Sequence, residues 1–289
     1  MLWAIDMKRP APNESPVTTK PRVLSVAGSD SGGGAGIQAD IKTITMLGGF
    51  AMTAVTALTA QNTLGVEDVF PVDPRFVIAQ MRAVLSDIGA DAIKTGMLGS
   101  YPVIEAVAKT CESLAAGIPV IVDPVMVAKG GASLLDKGAV DALILRLLPL
   151  ASLVTPNVPE AEVLTGLKIR SIADMERAAD AILGLGPSAV LMKGGHLEGD
   201  MVVDILRTAD GAEHRFEGPR IASRSTHGTG CTLASAIAAG VAEGLTLQGA
   251  VARARDYVVK AIQQAPGLGR GHGPLEFAHP LTAATEPRR

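Results

Sequence analysis

Short apolar runs alternate with amphipathic stretches along most of this chain. Residues 22–28 (Arg22 to Gly28) read as a buried first strand, followed by a loop from Ser29 to Gly36 that holds four glycines. Apolar residues at helical spacing then run from Ile37 to Leu47 and stop at Gly48-Gly49. A second strand is expected near Ala51 to Ala60. Pro74 opens a helix reaching Ile88, Ala92 to Lys94 is a short strand, and Pro102 sits in the first turn of a helix ending near Ala115. Pro119 to Asp123 is a strand that ends in a carboxylate. A helix from Asp136 to Leu147, a strand from Ser152 to Thr155, and helices at Pro159–Leu164 and Ile172–Leu185 follow. Ala189 to Lys193 is another buried strand. Met201 to Ile221 alternates about Asp210-Gly211, a hairpin signal. Helices at Gly230–Glu243 and Leu247–Gln264 close the pattern.

Buried strands interleaved with helices predict an α/β protein: a three-layer fold with a mostly parallel central sheet, helices on both faces and a small β-hairpin extension. Ligands of such sheets bind beyond the carboxyl ends of the strands. The polar residues gather there: Ser29-Asp30, Gln61-Asn62, Asp123, Asn157 and Lys193-Gly194-Gly195. No fixed-period repeat or internal linker interrupts the series, so residues 22–280 read as one domain. Residues 1–21 carry four prolines and several charges without an apolar signal core, and are expected to be a disordered extension. Residues 281–289 read as a flexible tail.

Composition narrows the picture. Aromatic residues make up 3% of the 289, so the core must be built from Ala, Val, Leu, Ile and Met. The formal charge of −3 and the absence of a basic stripe argue against a nucleic-acid partner. Residues 43–66 carry no charge, but the four threonines from Thr53 to Thr63, Gln61, Asn62 and Gly48-Gly49 break the run, so no membrane span is expected. Cys111 and Cys231 have neither metal nor disulfide-framework spacing, which fits a reducing cytoplasm.

The chemistry concentrates at His227-Gly228-Thr229-Gly230-Cys231. Glycines allow close backbone approach, and the free N–H groups opening the following helix suit a phosphate. Cys231 lies at the positive end of the helix dipole, which should bring a thiol down from its ordinary value of about 8.5. Elsewhere, Gly34-x-Gly36-x-x-Ala39 formally matches a dinucleotide fingerprint. The second strand ends in Gln61-Asn62-Thr63, with no acidic residue for a ribose. No Gly-Lys pair occurs, so there is no Walker A loop.

In their order, Gly28 to Thr43 (GSDSGGGAGIQADIKT), Thr56 to Thr63, Lys94 to Leu98, Asp123 to Met126, Thr155 to Ala161, Leu191 to His196 and His227 to Thr232 resemble the signature of the hydroxymethylpyrimidine/phosphomethylpyrimidine kinases. These are the thiamine-pathway branch of the ribokinase-like superfamily. The resemblance runs from about Val23 to Phe277. It implies ATP- and Mg²⁺-dependent phosphorylation of 4-amino-5-hydroxymethyl-2-methylpyrimidine, and then of its monophosphate, by a cytoplasmic homodimer. On that pattern Gly228, Thr229, Gly230 and Cys231 hold the transferring phosphoryl group. Cys231 takes the alcohol proton or, alternatively, only spaces and packs the loop. Gly28, Ala35, Asp40, Gln61, Met97 and Val125 form the pyrimidine site. An amide such as Gln61 pairs with an amino group beside a ring nitrogen. Asp40 binds the substrate hydroxyl or locks the loop, and Met97 is a wall of the site or ordinary core. Lys193, Thr229 and Asn157 contact the nucleotide. Asp123 and Glu160 organise Mg²⁺ through waters, with a helix-start carboxylate as the alternative reading of Glu160. His196 and His227 are read as loop residues of their motifs. A pyridoxal or pyridoxine kinase of the same superfamily is the alternative, with Gln61 favouring the aminopyrimidine. A Cys–His hydrolase lacks the ordered oxyanion logic, and a non-catalytic nucleotide-binding regulator would leave Cys231 and Lys193 without a use.

Overall fold

The computed structural model describes residues 20–126 and 137–281. The extension expected at 1–21 lies outside them but for residues 20 and 21, and so does the tail from residue 282 onward. One nine-stranded sheet forms the middle layer, in the order β3-β2-β1-β4-β5-β6-β7-β8-β9. Its strands are β1 (Arg22–Asp30), β2 (Phe50–Asn62), β3 (Gly65–Pro71), β4 (Ala92–Thr95), β5 (Val120–Val122), β6 (Leu153–Val154), β7 (Ala189–Met192), β8 (Met201–Thr208) and β9 (Glu213–Pro219). The six strands from β2 to β7 in that order are parallel, while β3, β8 and β9 run antiparallel at the two edges.

Both faces of the parallel strands are buried, because alternate residues serve alternate helix layers. Val23, Ala92, Ile121 and Leu153 pack beneath α1 (Gly36–Met46), α7 (Thr229–Ala242) and α8 (Leu247–Gln263). Leu24, Ile93, Val122 and Val154 pack beneath α2 (Pro74–Asp87), α3 (Tyr101–Leu114), α4 (Lys137–Ala142), α5 (Val158–Thr165) and α6 (Ile172–Leu183). Helix starts follow local chemistry. Asp73 accepts from Arg75 N–H ahead of Pro74, Ser171 caps α6, and Thr246 caps α8. The expected three-layer arrangement and the hairpin at Asp210-Gly211 are both present, Gly211 taking φ +92° in the turn. No helix of the described residues is long and apolar enough to cross a membrane.

Two elements differ from the sequence reading. Strand β3 gave no buried-strand signal, because it is an edge strand with nearly all its side chains outward. The helix expected over 136–147 is regular only to Ala142. It then widens to a π turn over Leu143–Leu147 and a 3₁₀ turn over Leu148–Leu150, where Pro149 cannot continue an α-helix. Its expected first residue, Asp136, lies outside the described residues.

Candidate active site

A cleft of about 880 Å³ opens along the carboxyl ends of the parallel strands. Gly28, Gln61, Met97, Asp123, Asn157 and Lys193 reach it from the ends of β1, β2, β4, β5, β6 and β7, and α7 points its first turn into it. Ala35, Val125, Glu160, Gly228, Thr229, Gly230 and Cys231 line it too. Asp40 does not. It has no exposed surface, lies one turn deeper on α1 and is sealed under the cleft by Ser25, Lys94 and Ser235. The expected contact between Asp40 and a substrate hydroxyl is therefore corrected. Of its two readings, only the locking one is open to a carboxylate in that place.

One end of the cleft is built on Asp30, a residue the sequence reading left without a role. Its carboxylate accepts from the N–H groups of Gly32 (2.8 Å), Gly34 (3.0 Å) and Ala35 (2.8 Å), and pairs with His227 Nε2 at 2.8 Å. Burial alone would raise its carboxyl. The His227 hydrogen bond and the backbone donors outweigh burial and hold it below the usual range. Asp30 thus folds the glycine loop into an anion-centred nest and ties it to the start of the second loop. With four donors on it, Asp30 faces a His227 Nε2 that carries its hydrogen. Gln61 stands beside this pair, its Nε2 3.4 Å from His227 Nε2 and its Oε1 3.1 Å from Thr59 Oγ1. The Met97 methyl fills the space beside Gly28, where a Cβ would lie 2.5 Å from its Cε, so a larger residue at 28 must push this mobile wall of the cleft aside.

The opposite side of the cleft carries charge. Lys193 Nζ lies 3.0 Å from Asp123 Oδ1 and 3.9 Å from Glu160 Oε2, and Thr155 Oγ1 donates to Asp123 Oδ1 at 3.1 Å. Burial disfavours the ammonium, but Asp123 and Glu160 outweigh it and raise Lys193 above its ordinary value. Asn157 and Glu160 form a reciprocal capping box at the start of α5, each side chain accepting from the other's backbone N–H at 2.8–2.9 Å. The helix-start reading of Glu160 is thus met, and the same carboxylate still faces the cleft. A Cβ on Gly230 would sit 3.4 Å from both Asp123 Oδ2 and Lys193 Nζ, so α7 opens directly against this charged group. Gly228, the residue capping α7, is left-handed at φ +83° and offers no side chain; the Thr229 N–H reaches the Thr226 carbonyl at 3.4 Å, and the first-turn N–H groups after it point to the cleft.

Burial pushes the Glu160 carboxyl up to about 7, with Lys193 opposing the rise and Asp123 adding to it. Since the folded value lies above the ordinary 4.5, the protonated form favours the fold. That contribution is complete below the ordinary value and is lost as pH climbs through the folded one. Glu160→Gln keeps the cap and cannot ionise. In thermal melts without nucleotide it should match the wild type near about pH 5 and melt higher at about pH 8–9. Equal melting at both pH values would remove the charge from Glu160's account.

The cleft continues between the β8–β9 hairpin and α8, where Val202, Ile221, Val258 and Ile262 give an apolar wall. Arg220 anchors the connection before β8, donating to the carbonyls of Gly195 (2.8 Å), Leu197 and Gly199 (2.7 Å). Sequence reading missed this wall, since nothing in a hairpin's alternation tells which face meets a distant helix. His227, set aside there as a loop residue, pairs with Asp30 and stands next to the Gln61 amide.

An anion-binding helix start, a lysine paired with two carboxylates and a separate polar-tipped pocket, all beyond the ends of parallel strands, define a ribokinase-like phosphotransferase. The known proteins agree. The family model described as phosphomethylpyrimidine kinase matches residues 30–276, and the chain belongs to that family. It is 48% identical over 267 residues to a hydroxymethylpyrimidine/phosphomethylpyrimidine kinase of Streptomyces coelicolor, covering 92% of this chain and 98% of that one. It is 57% identical over 254 residues to the thiamine biosynthesis bifunctional protein ThiED of Geobacter sulfurreducens. That match takes in 88% of this chain and about half, 51%, of the longer relative. Among solved structures, an ADP complex of Bacillus subtilis pyridoxal kinase superposes with a TM-score of 0.82 at 35% identity, covering 90% of this chain and 98% of that one.

Proposed function

We propose that this chain transfers the γ-phosphoryl group of ATP to the hydroxymethyl group of 4-amino-5-hydroxymethyl-2-methylpyrimidine, and then a second one to the resulting monophosphate. The product supplies the pyrimidine half of thiamine. The observation that carries the acceptor is Gln61, an amide held beside the Asp30–His227 pair at the Met97 end of a cleft whose far side is an anion loop. An amide offers one acceptor and one pair of donors, the complement of an amino group next to a ring nitrogen. Ala35 and Val125 complete the apolar wall.

Phosphoryl transfer requires alignment and charge stabilisation more than covalent help. The N–H groups of Gly228 to Cys231 receive the moving phosphoryl group, and Lys193 neutralises the phosphates beside it. Thr229 and the Nδ2 of Asn157 face the nucleotide. The apolar wall between hairpin and α8 takes the base of ATP. Cys231 removes the alcohol proton. Mg²⁺ fits the residues present: two cleft carboxylates face one ammonium, leaving room for another positive charge, and their oxygens suit a hard cation. Among the described residues no group of three or more His, Cys, Asp or Glu could hold a metal alone. Asp123 and Glu160 would therefore hold the ion through waters, and the ion would neutralise charge on the phosphates.

The pyridoxal reading is favoured by one observation, the likeness to a pyridoxal kinase structure. The test is steady-state turnover of ATP with hydroxymethylpyrimidine and with pyridoxal. The pyrimidine should have the higher kcat/KM, and pyridoxal equalling it would overturn the assignment. Gln61→Met should reduce the preference by about 10²-fold or more, because a site built to hydrogen-bond a group rejects partners lacking it.

We also infer a homodimer in the cytoplasm. Leu58 of β2 and Phe70 of β3 lie directly opposite each other, 50% and 70% exposed, on an edge suited to a second copy. Sedimentation should find two chains per particle, and a monomer at micromolar concentration would refute it.

A further inference from the structure

Among the described residues, the largest fully buried side chain is a lysine. Lys94 of β4 has no exposed surface, and its ammonium lies 2.9 Å from each oxygen of Asp40 on α1. Asp40 Oδ2 also accepts from Ser25 Oγ of β1 at 2.6 Å, and Oδ1 from Ser235 Oγ of α7 at 2.6 Å. One carboxylate ties together four segments of the fold. Its acceptor sites are filled, since a carboxylate has about four and all are in use.

A buried ion pair is weak evidence for stability. Desolvation offsets the attraction, and an apolar pair of similar volume often serves as well. Its location offers a stronger reason. Ser235 is one helical turn beyond Cys231 on α7, and Asp40 is one turn beyond Gly36 on α1. The Gly36 N–H donates to the Cys231 sulfur. The two helices therefore meet through two rungs, Gly36–Cys231 at the cleft and Asp40–Ser235 beneath it.

We propose that Asp40, with Lys94 as its buried counter-ion, is a positioning residue for phosphoryl transfer. It holds the first turns of α1 and α7 face to face, so that the acceptor loop and the anion loop stay aligned. The proposal rests on the reading that transfer occurs at the start of α7.

The decisive variant is Asp40→Asn/Lys94→Met, which removes both charges at similar volume and leaves an amide for the two serines. It should melt close to the wild type, with KM for ATP and pyrimidine nearly unchanged and kcat of both phosphorylations reduced about 10–100-fold, the size of effect expected from a small misplacement. Ser235→Ala should give a smaller loss of the same kind. Unchanged kcat in the folded double variant overturns the proposal. So does a rise in KM confined to the alcohol step, which would put Asp40 on the substrate. If the double variant does not fold, Ser235→Ala decides, and unchanged kcat there overturns the proposal. A separate readout needs no turnover: the rate at which iodoacetamide alkylates Cys231 in a Cys111→Ala background. It should rise in Ser235→Ala as the upper rung loosens, and an unchanged rate counts against the proposal. A wild type that phosphorylates no hydroxymethylpyrimidine would defeat the functional reading while leaving the alkylation result standing.

Discussion

Cys231→Ala is expected to slow phosphorylation of the alcohol by about 10²–10⁴-fold, the usual worth of general-base help, and to slow phosphorylation of the monophosphate far less. The alcohol must lose its proton as the new bond forms. The monophosphate is already largely ionised near neutral pH, with its second pKa near about 6, and needs alignment only. The helix start was expected to lower the Cys231 thiol. Instead burial pushes it up to about 11, with Lys94 opposing the rise and Asp40 and Asp123 adding to it. The dipole of one helix does not offset the water the sulfur loses by facing the cleft from the packed start of α7. A raised value fixes the sign of the pH response. The thiolate fraction, and with it kcat of the first step, should climb about tenfold per pH unit above neutrality, while the second step levels off once its phosphate is ionised. Each step is measured alone by supplying purified monophosphate to the second. Equal slowing of both steps by Cys231→Ala would leave Cys231 only a part in shaping the loop.

Gly228→Ala should cut both steps together, by about 10²–10³-fold, the cost typical of losing a donor to developing negative charge. Two features make this glycine irreplaceable. Its φ of +83° is costly for any residue with a Cβ. That Cβ would also lie 1.8 Å from the Gly34 carbonyl oxygen and 2.9 Å from its carbon. These are backbone atoms, so no rotamer change relieves the clash. Either the acceptor loop or the start of α7 must move, and Asp30 and His227 bind the two together. Comparable kinetics for Gly228→Ala and wild type would show that the anion loop takes no part in transfer. Loss of only the first step would contradict its service to both.

Much of this site was legible before the fold was known, for a physical reason. In a parallel sheet every strand delivers its next residue to the same edge, so strand ends read from sequence become neighbours in space. Gln61, Asp123, Asn157 and Lys193 are read in that way, whereas Gly28 comes only from the family resemblance. What depends on packing was not legible. Asp40 lies inside a recognisable motif, yet whether it faces substrate or core is decided by helix α7, almost two hundred residues later. Lys94 reads as a strand residue like its neighbours, and only the carboxylate across from it explains an ammonium without solvent. The direction of the Cys231 shift has the same origin: helix position can be read in sequence, whereas burial cannot. Strand β3 escaped notice because an edge strand with outward side chains has no core pattern to betray it.

The order of strands also divides the cleft into separable halves. β2, β1 and β4 are neighbours and bring Gly28, Ala35, Gln61 and Met97 to one end, while β7, β8 and β9 form the opposite edge with the apolar wall assigned to the nucleotide. Only α7 and the Asp123–Lys193 pair are shared at the seam. On the proposed reading acceptor choice is modular: a library confined to Ala35, Gln61 and Met97 should retune which small alcohol is taken, with KM for ATP left as it is.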